Sequence, residues 1–368
     1  MRVGFDAGPI LSSYSGIGQY VRCLFPAMFK LSPAIEWVGY TPSKISSPTF
    51  PLHPHGLVSW KYPESRWRFR LIKPEQNQLQ VFHGTNFKAP DYGQQCTIVT
   101  IHDLWLSRNP HYSKKLFREA ISTWKLGLRA KRVSRVIAVS RFSAREIQEV
   151  FDLPSDQIAV IYHGCSPDMF PEREEQKFQK IRVRLQLPAR PYILFVGGAE
   201  TRKNHRVLFE AFSRSATLVK SYSLVAVGEV QTRGASLVRT ARELGISDSV
   251  CCPGYVSIDD LRMLYSHADA FVFPSLYEGF GIPLLDAMAC GAPVITGTGS
   301  ALPEVAGEAA LYVNPHDPEQ LSAELEGLVS DRDLQERLQR KGFERVKQFT
   351  WDLAGQETLK LYREVLGL

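Results

Sequence analysis

Two acids with a glycine-rich stretch between them carry the densest chemical information in the chain. Glu278 and Asp286 stand eight residues apart within Phe273–Gly291, FPSLYEGFGIPLLDAMACG. On one continuous helix, acids at that spacing lie about 12 Å apart and on different faces. The segment reads differently: a strand ends near Phe273, a loop carries Glu278, and Pro283 suits the first turn of a helix. Both acids can then face one cleft. The backbone from Gly281 through Leu284 would open that helix, where free N–H groups make a seat for a diphosphate. Glycines 279 and 281 allow a ligand to approach the backbone closely. Taken singly, Asp286 would only complement the helix dipole and Glu278 would be a solvated loop acid.

The pattern E-G-F-G-I-P-L-L-D-A-M-A-C-G resembles the donor-site signature of family 4 retaining glycosyltransferases, typically E-G-F-G-x-P-x-L-E-A-M-A-x-G. That family has the GT-B architecture, two Rossmann-like, doubly wound parallel-sheet domains facing across a cleft. The resemblance implies a hexose transferred from a nucleotide-diphosphate sugar by front-face attack, a donor phosphate oxygen taking the acceptor's proton. It assigns Glu278 a catalytic place beside the transferred sugar, without making it a nucleophile. It assigns donor binding to Gly279, Phe280, Gly281, Ile282, Pro283, Leu284 and Asp286. In the family the second acid is a glutamate that hydrogen-bonds the ribose hydroxyls. Asp286 keeps its charge but is one methylene shorter, which bears on donor affinity more than on reaction class.

Further stretches extend the likeness across almost the whole chain. After the apolar run Tyr192–Val196 comes G-G-A-E-T-R-K-N, similar to the family's phosphate loop. Arg202 can grip phosphate oxygens in a bidentate way and Lys203 can act as a point charge. Solvated loop cations are the alternative reading. S-G-I-G-Q-Y resembles the family's first loop and puts Gly16 near the donor phosphate, although a lone GxG is weak evidence. V-T-I-H-D-L, followed by N-P-x-Y, makes His102 an expected sugar contact and catalytic residue. Asp103 would orient that imidazole or an acceptor hydroxyl. Ser140, in A-V-S-R-F-S, is placed on the acceptor side, with a scaffold role equally open.

Positioning these residues requires an alternation of short β-type runs and helical patterns, the mark of parallel sheets covered by helices. The first series runs through Arg2–Phe5, Trp37–Tyr40, Leu57–Trp60, Val81–His83, Thr97–Ile101, Arg135–Val139 and Ile158–Tyr162. The second runs through Tyr192–Val196, Ser223–Val227, Val250–Cys252, Ala270–Phe273, Pro293–Thr296 and Ala310–Val313. Helical patterns include Gly18–Lys30, Ser113–Lys131, Pro283–Cys290 and Trp351–Leu366. The expected domains are 1–170 and 191–351, joined by a polar linker at 171–190. The last helix, 352–368, is expected to pack back on the first domain. Ligands bind at the carboxyl ends of strands in such folds, so the active site is expected between the domains.

Composition narrows the class. With 368 residues, 44% hydrophobic and 22% charged, the chain suits two soluble domains. No apolar run reaches the roughly 20 residues that span a bilayer, and Asp6 interrupts any signal-peptide-like start, so a cytoplasmic protein is expected. The cysteines form no CxxC pair and read as buried, reduced thiols. No metal-ligand spacing appears, and a metal-independent reaction without a cofactor is expected. The net charge of +6 concentrates in Lys114–Arg145 and in Arg66–Trp67–Arg68–Phe69–Arg70. These would suit the inner face of a membrane presenting a lipid-linked saccharide, with two solvated basic faces as the alternative. No nucleic-acid motif accompanies them. Motif style favours GDP-mannose and bacterial mannosyltransferases of surface-polysaccharide, lipopolysaccharide-type biosynthesis; UDP-sugars stay open. Two other readings stand beside this one: a nucleotide-sugar 2-epimerase of similar fold, and a catalytically silent nucleotide-sugar-binding protein.

Overall fold

The computed structural model describes residues 1–11, 16–41, 58–61, 79–87, 96–110, 123, 125–128, 130–232 and 235–368. The chain divides into two compact units, one of Met1–Gly164 with Thr350–Leu368, the other of Cys165–Phe349.

Among its described residues the first unit holds seven strands: β1 (Arg2–Asp6), β2 (Glu36–Tyr40), β3 (Val58–Lys61), β4 (Val81–Gly84), β5 (Cys96–Ile101), β6 (Arg135–Ala138) and β7 (Ile158–Val160). They form one sheet in the order β3-β2-β1-β4-β5-β6-β7, with all pairs parallel. A parallel sheet needs helices on both faces, which is why its strands are near-continuous apolar runs. One face is covered by the helices Gly16–Leu31 and Trp351–Leu366, where Val3, Phe5, Phe25, Trp37 and Tyr362 pack into one buried cluster. The Phe5 and Phe25 rings stack at 3.9 Å. On the other face Ile101, Val136, Ile147 and Phe151 form a second cluster. Thr350 caps the last helix by accepting from Leu353 N at 3.1 Å. Gly164 lies so close to that helix that a Cβ there would meet Trp351 N at 2.4 Å.

The second unit holds β8 (Tyr192–Val196), β9 (Ser223–Val227), a two-strand ribbon of β10 (Gln231–Thr232) and β11 (Ala235–Ser236), then β12 (Val250–Gly254), β13 (Ala270–Phe273), β14 (Val294–Gly297) and β15 (Ala310–Val313). Its main sheet has the order β12-β9-β8-β13-β14-β15, again wholly parallel. The chain runs outward from β8 through β9 to β12, then returns to the opposite edge of β8 with β13. Connections leaving β8 and β13 therefore diverge, which opens a crevice at their carboxyl ends.

The expected linker at 171–190 belongs to this second unit, and the boundary falls at Gly164–Cys165 instead of near 170. The segment contains the helix Glu175–Arg184, which buries Phe178 and Ile181. Phe178 stacks on His267 at 3.9 Å, so two apolar contacts fix a stretch whose exposed side carries the polarity. All six cysteines are free thiols, but only Cys290 is buried; the other five are half-buried. Among the described residues no helix is long and apolar enough to cross a membrane. Arg66–Arg70, most of the expected helix Ser113–Lys131, and Lys114, Lys115, Arg118 and Arg129 of the basic stretch lie outside the described residues.

Candidate active site

The crevice after β8 and β13 gathers three of the residues singled out above. The turn Thr201–Lys203 follows β8 and ends at Asn204, which holds a left-handed φ of 55°. Asparagine tolerates that conformation better than most residues, and its side-chain amide holds the turn by donating to Pro274 O at 3.0 Å and Pro315 O at 2.6 Å. Leu276 N donates to Arg202 O at 2.8 Å, so the loops after β8 and β13 are pinned to each other. Between them the buried Glu278 carboxylate accepts from Arg202 Nη1 at 3.0 Å and from Lys203 Nζ at 2.8 Å. Arg202 Nε also donates to Glu200 at 2.8 Å, and Lys203 Nζ lies 5.0 Å from the Phe273 ring centre. Burial alone would raise the Glu278 carboxyl, but the charges of Lys203 and Arg202 outweigh it and hold the group below its usual range.

The helix Ile282–Ala289 begins beside this cluster. Its cap, Gly281, has φ 107°, a conformation that requires glycine. The seat is narrower than the sequence suggested. Pro283 has no N–H, and Leu284 N donates to Gly281 O at 3.0 Å, so Gly281 and Ile282 are the two positions able to serve an anion. The side chains of Phe280 and Leu284 are buried, and Phe280 packs edge-on against Phe349 at 5.8 Å. A contact of either with donor would have to come through backbone. Asp286 reaches another segment: its Oδ1 accepts from Ser166 N at 3.3 Å and lies 3.7 Å from Cys165 Sγ. Glu278 and the cations thus converge, whereas Asp286 is engaged on the first residues of the unit.

In the first unit, His102 follows β5 and donates from Nε2 to Thr85 O at 2.8 Å, because a carbonyl can only accept. The neutral ring is thereby set with its proton on Nε2. Burial lowers its pKa, against smaller raising effects from Thr85 and Asp103. Asp103 Oδ1 accepts from Trp105 N at 3.1 Å, a local turn contact. Ser140 is fully buried and caps the helix Arg141–Phe151, accepting from Ser143 N at 2.9 Å. That cap is the scaffold role left open for it. Gly16 opens its helix in open space, with nothing within 4 Å of a Cβ built on it.

Two family models match. Residues 177–345 match glycosyl transferases group 1, and residues 30–169 match glycosyltransferase family 4. The chain belongs to these glycosyltransferases. The glycosyltransferase is 29% identical over 394 residues to an O-antigen chain mannosyltransferase B of Escherichia coli, covering 99% of this chain and all of that one. It is 31% identical over 261 residues to the serotype-specific mannosyltransferase WbdA of E. coli, which covers 69% of this chain but only 32% of that longer protein. Among solved structures, HepE of Anabaena in complex with UDP-glucose superposes with a TM-score of 0.78 at 16% identity, covering 98% of this chain and 99% of that one. That likeness establishes the GT-B fold.

Several residues of the glycosyltransferase escaped sequence reasoning. Ser300, at φ 59°, accepts from Glu278 N at 3.0 Å and so fixes the Glu278 loop from the turn after β14. Glu200 shares Arg202 with Glu278. His83 and His163 surround His102, as described below. Glu200 and Asn204 lie inside the G-G-A-E-T-R-K-N stretch; Ser300, His83 and His163 carry no spacing signal, because distant segments bring them together.

Proposed function

We propose that this glycosyltransferase moves mannose from GDP-mannose to a hydroxyl of a saccharide or lipid-linked saccharide, retaining the anomeric configuration and using no metal ion. The observation that carries the reading is the single carboxylate, Glu278, held by Arg202 and Lys203 at the diverging ends of β8 and β13. The two cations are preorganised where charge would build on a departing diphosphate, and the amides of Gly281 and Ile282 add a helix N-terminus. Glu278 would polarise the sugar as its anomeric carbon becomes cationic. The carbon–oxygen bond to phosphate breaks, the acceptor oxygen bonds to the same face, and its proton passes to the freed phosphate oxygen. Mannose is favoured because the two Escherichia coli relatives are named as mannosyltransferases. His102 and Asp103 would serve the sugar side, and Asp286 would reach ribose with the carboxylate whose Oδ1 accepts from Ser166 N.

Thermal shift across a panel of nucleotide sugars, repeated with EDTA, tests the donor and the metal together. GDP-mannose should raise the Tm most, since a ligand at 100 times its Kd adds about 2.7 kcal/mol to stability. A larger shift with UDP-sugars, or one abolished by EDTA, would overturn the respective clause. A membrane-borne acceptor is supported by Lys125, Arg132, Arg141 and Arg145, all exposed on the first unit. Flotation with anionic vesicles should capture the protein at low salt and release it at high salt. No capture even at low salt counts against this clause.

A further inference from the structure

Six buried side chains of the first unit form a connected set, of which the reaction scheme uses only His102. Tyr362, on the last helix, hydrogen-bonds His83 Nδ1 at 2.6 Å. His83 Nε2 hydrogen-bonds Thr100 Oγ1 at 2.7 Å, and Thr100 Oγ1 hydrogen-bonds Tyr20 at 2.9 Å. The Tyr20 ring then meets His102 edge-on at 4.9 Å and His163 at 4.9 Å, while those two imidazoles stack at 5.4 Å. Tyr362, His83 and Thr100 are wholly buried, and Tyr20, His102 and His163 are less than a tenth exposed. Burial lowers His83 to about 3 and His163 well below its usual value, so both rings are neutral. A neutral imidazole between two hydroxyls must donate on one side and accept on the other, which gives the whole chain a single direction at a time.

The chain has an evident output. Tyr20 sits on the helix Gly16–Leu31 and is the wall against which His102 rests. Its hydroxyl is held by Thr100, on β5 two residues before His102, which follows the strand. We infer that Tyr362 is a positioning residue for the transfer reaction, acting through His83 and Thr100 to fix the Tyr20 ring and with it the imidazole of His102. The inference rests on the reading of His102 as a sugar contact. A residue 279 positions away in sequence from His83 thereby becomes part of the reacting geometry.

Tyr362→Phe tests this, because it keeps the ring and its packing and removes only the hydroxyl. The expected result is a kcat about tenfold lower with the donor KM within about twofold, since misplacement of a reacting group costs rate before binding. Tyr20→Phe should act alike, and the double variant should lose no more than the worse single one, because both cut one chain. Losses that multiply, or a wild-type kcat in Tyr362→Phe, overturn the inference. His102→Ala separates the two layers. If it leaves kcat intact, the reading of His102 falls and the inference with it; if it abolishes turnover while Tyr362→Phe does not, only the relay falls. Imidazole 15N NMR needs no substrate: Tyr362→Phe should move the His83 and His102 resonances, and an unmoved His102 refutes the coupling. Thr100→Val, near-isosteric at the middle of the chain, should likewise move the His102 resonance if Tyr362→Phe folds poorly.

Discussion

Replacing Glu278 with glutamine should lower kcat by about 100-fold or more while the protein still binds nucleotide sugar. Glutamine is nearly isosteric with glutamate and can still accept from Arg202 or Lys203, but it carries no charge to set against a cationic sugar centre. Glu278 is 6% exposed and held by two cations, so its charge acts where water screens it little. Single-turnover kinetics with GDP-mannose and an acceptor extract would read the loss, and equilibrium binding of donor would read what is kept. Full turnover in the variant removes Glu278 from the mechanism. The two cations also have a stability consequence. Because the folded carboxyl is held below its usual range, its contribution is present above the unfolded carboxylate pKa and is lost as pH falls through the lower, folded value.

Lys203→Met should cost about 100- to 1,000-fold in kcat, the loss expected when one preorganised charge is removed from a leaving group. Methionine retains an apolar stem against Phe273, over which the ammonium now lies, so the loop has little reason to rearrange. Arg202 stays in place and keeps one hydrogen bond to Glu278. Of the two charges that hold the Glu278 carboxyl down, Lys203 is the larger, so the carboxyl should rise in the variant. The acid limb of the pH–rate profile should therefore move to higher pH. An unchanged acid limb with a lowered rate would mean that Lys203 serves the diphosphate alone. Unchanged kcat would take it out of the site altogether.

Most of the scaffold was legible because parallel strands advertise themselves. Tyr192–Val196, Ser223–Val227, Ala270–Phe273 and Ala310–Val313 are short apolar runs bounded by turn residues, and each is a strand with those ends. The Glu278 loop was legible for a related reason: its glycines and Pro283 lie within a few residues of the acid they serve. What stayed hidden depends on long-range pairing. Phe178 and Ile181 are two apolar residues in a polar stretch, and the rings of His267 and Tyr192, both distant in sequence, explain why Glu175–Arg184 is a packed helix. Asp286 kept the spacing of the family signature, yet its carboxylate meets Ser166, 120 positions earlier. Ser140 was singled out for chemistry when its type and place already suited a helix cap.

The return of the final helix to the first unit has a consequence for biogenesis. Trp351, Leu359, Leu361 and Tyr362 complete a core begun by Val3 and Phe5, yet a ribosome makes them only after the entire second unit. The second unit can thus close upon itself during synthesis while the first waits with an apolar sheet face uncovered. Nascent chains stalled before residue 350 should be the ones that recruit chaperones.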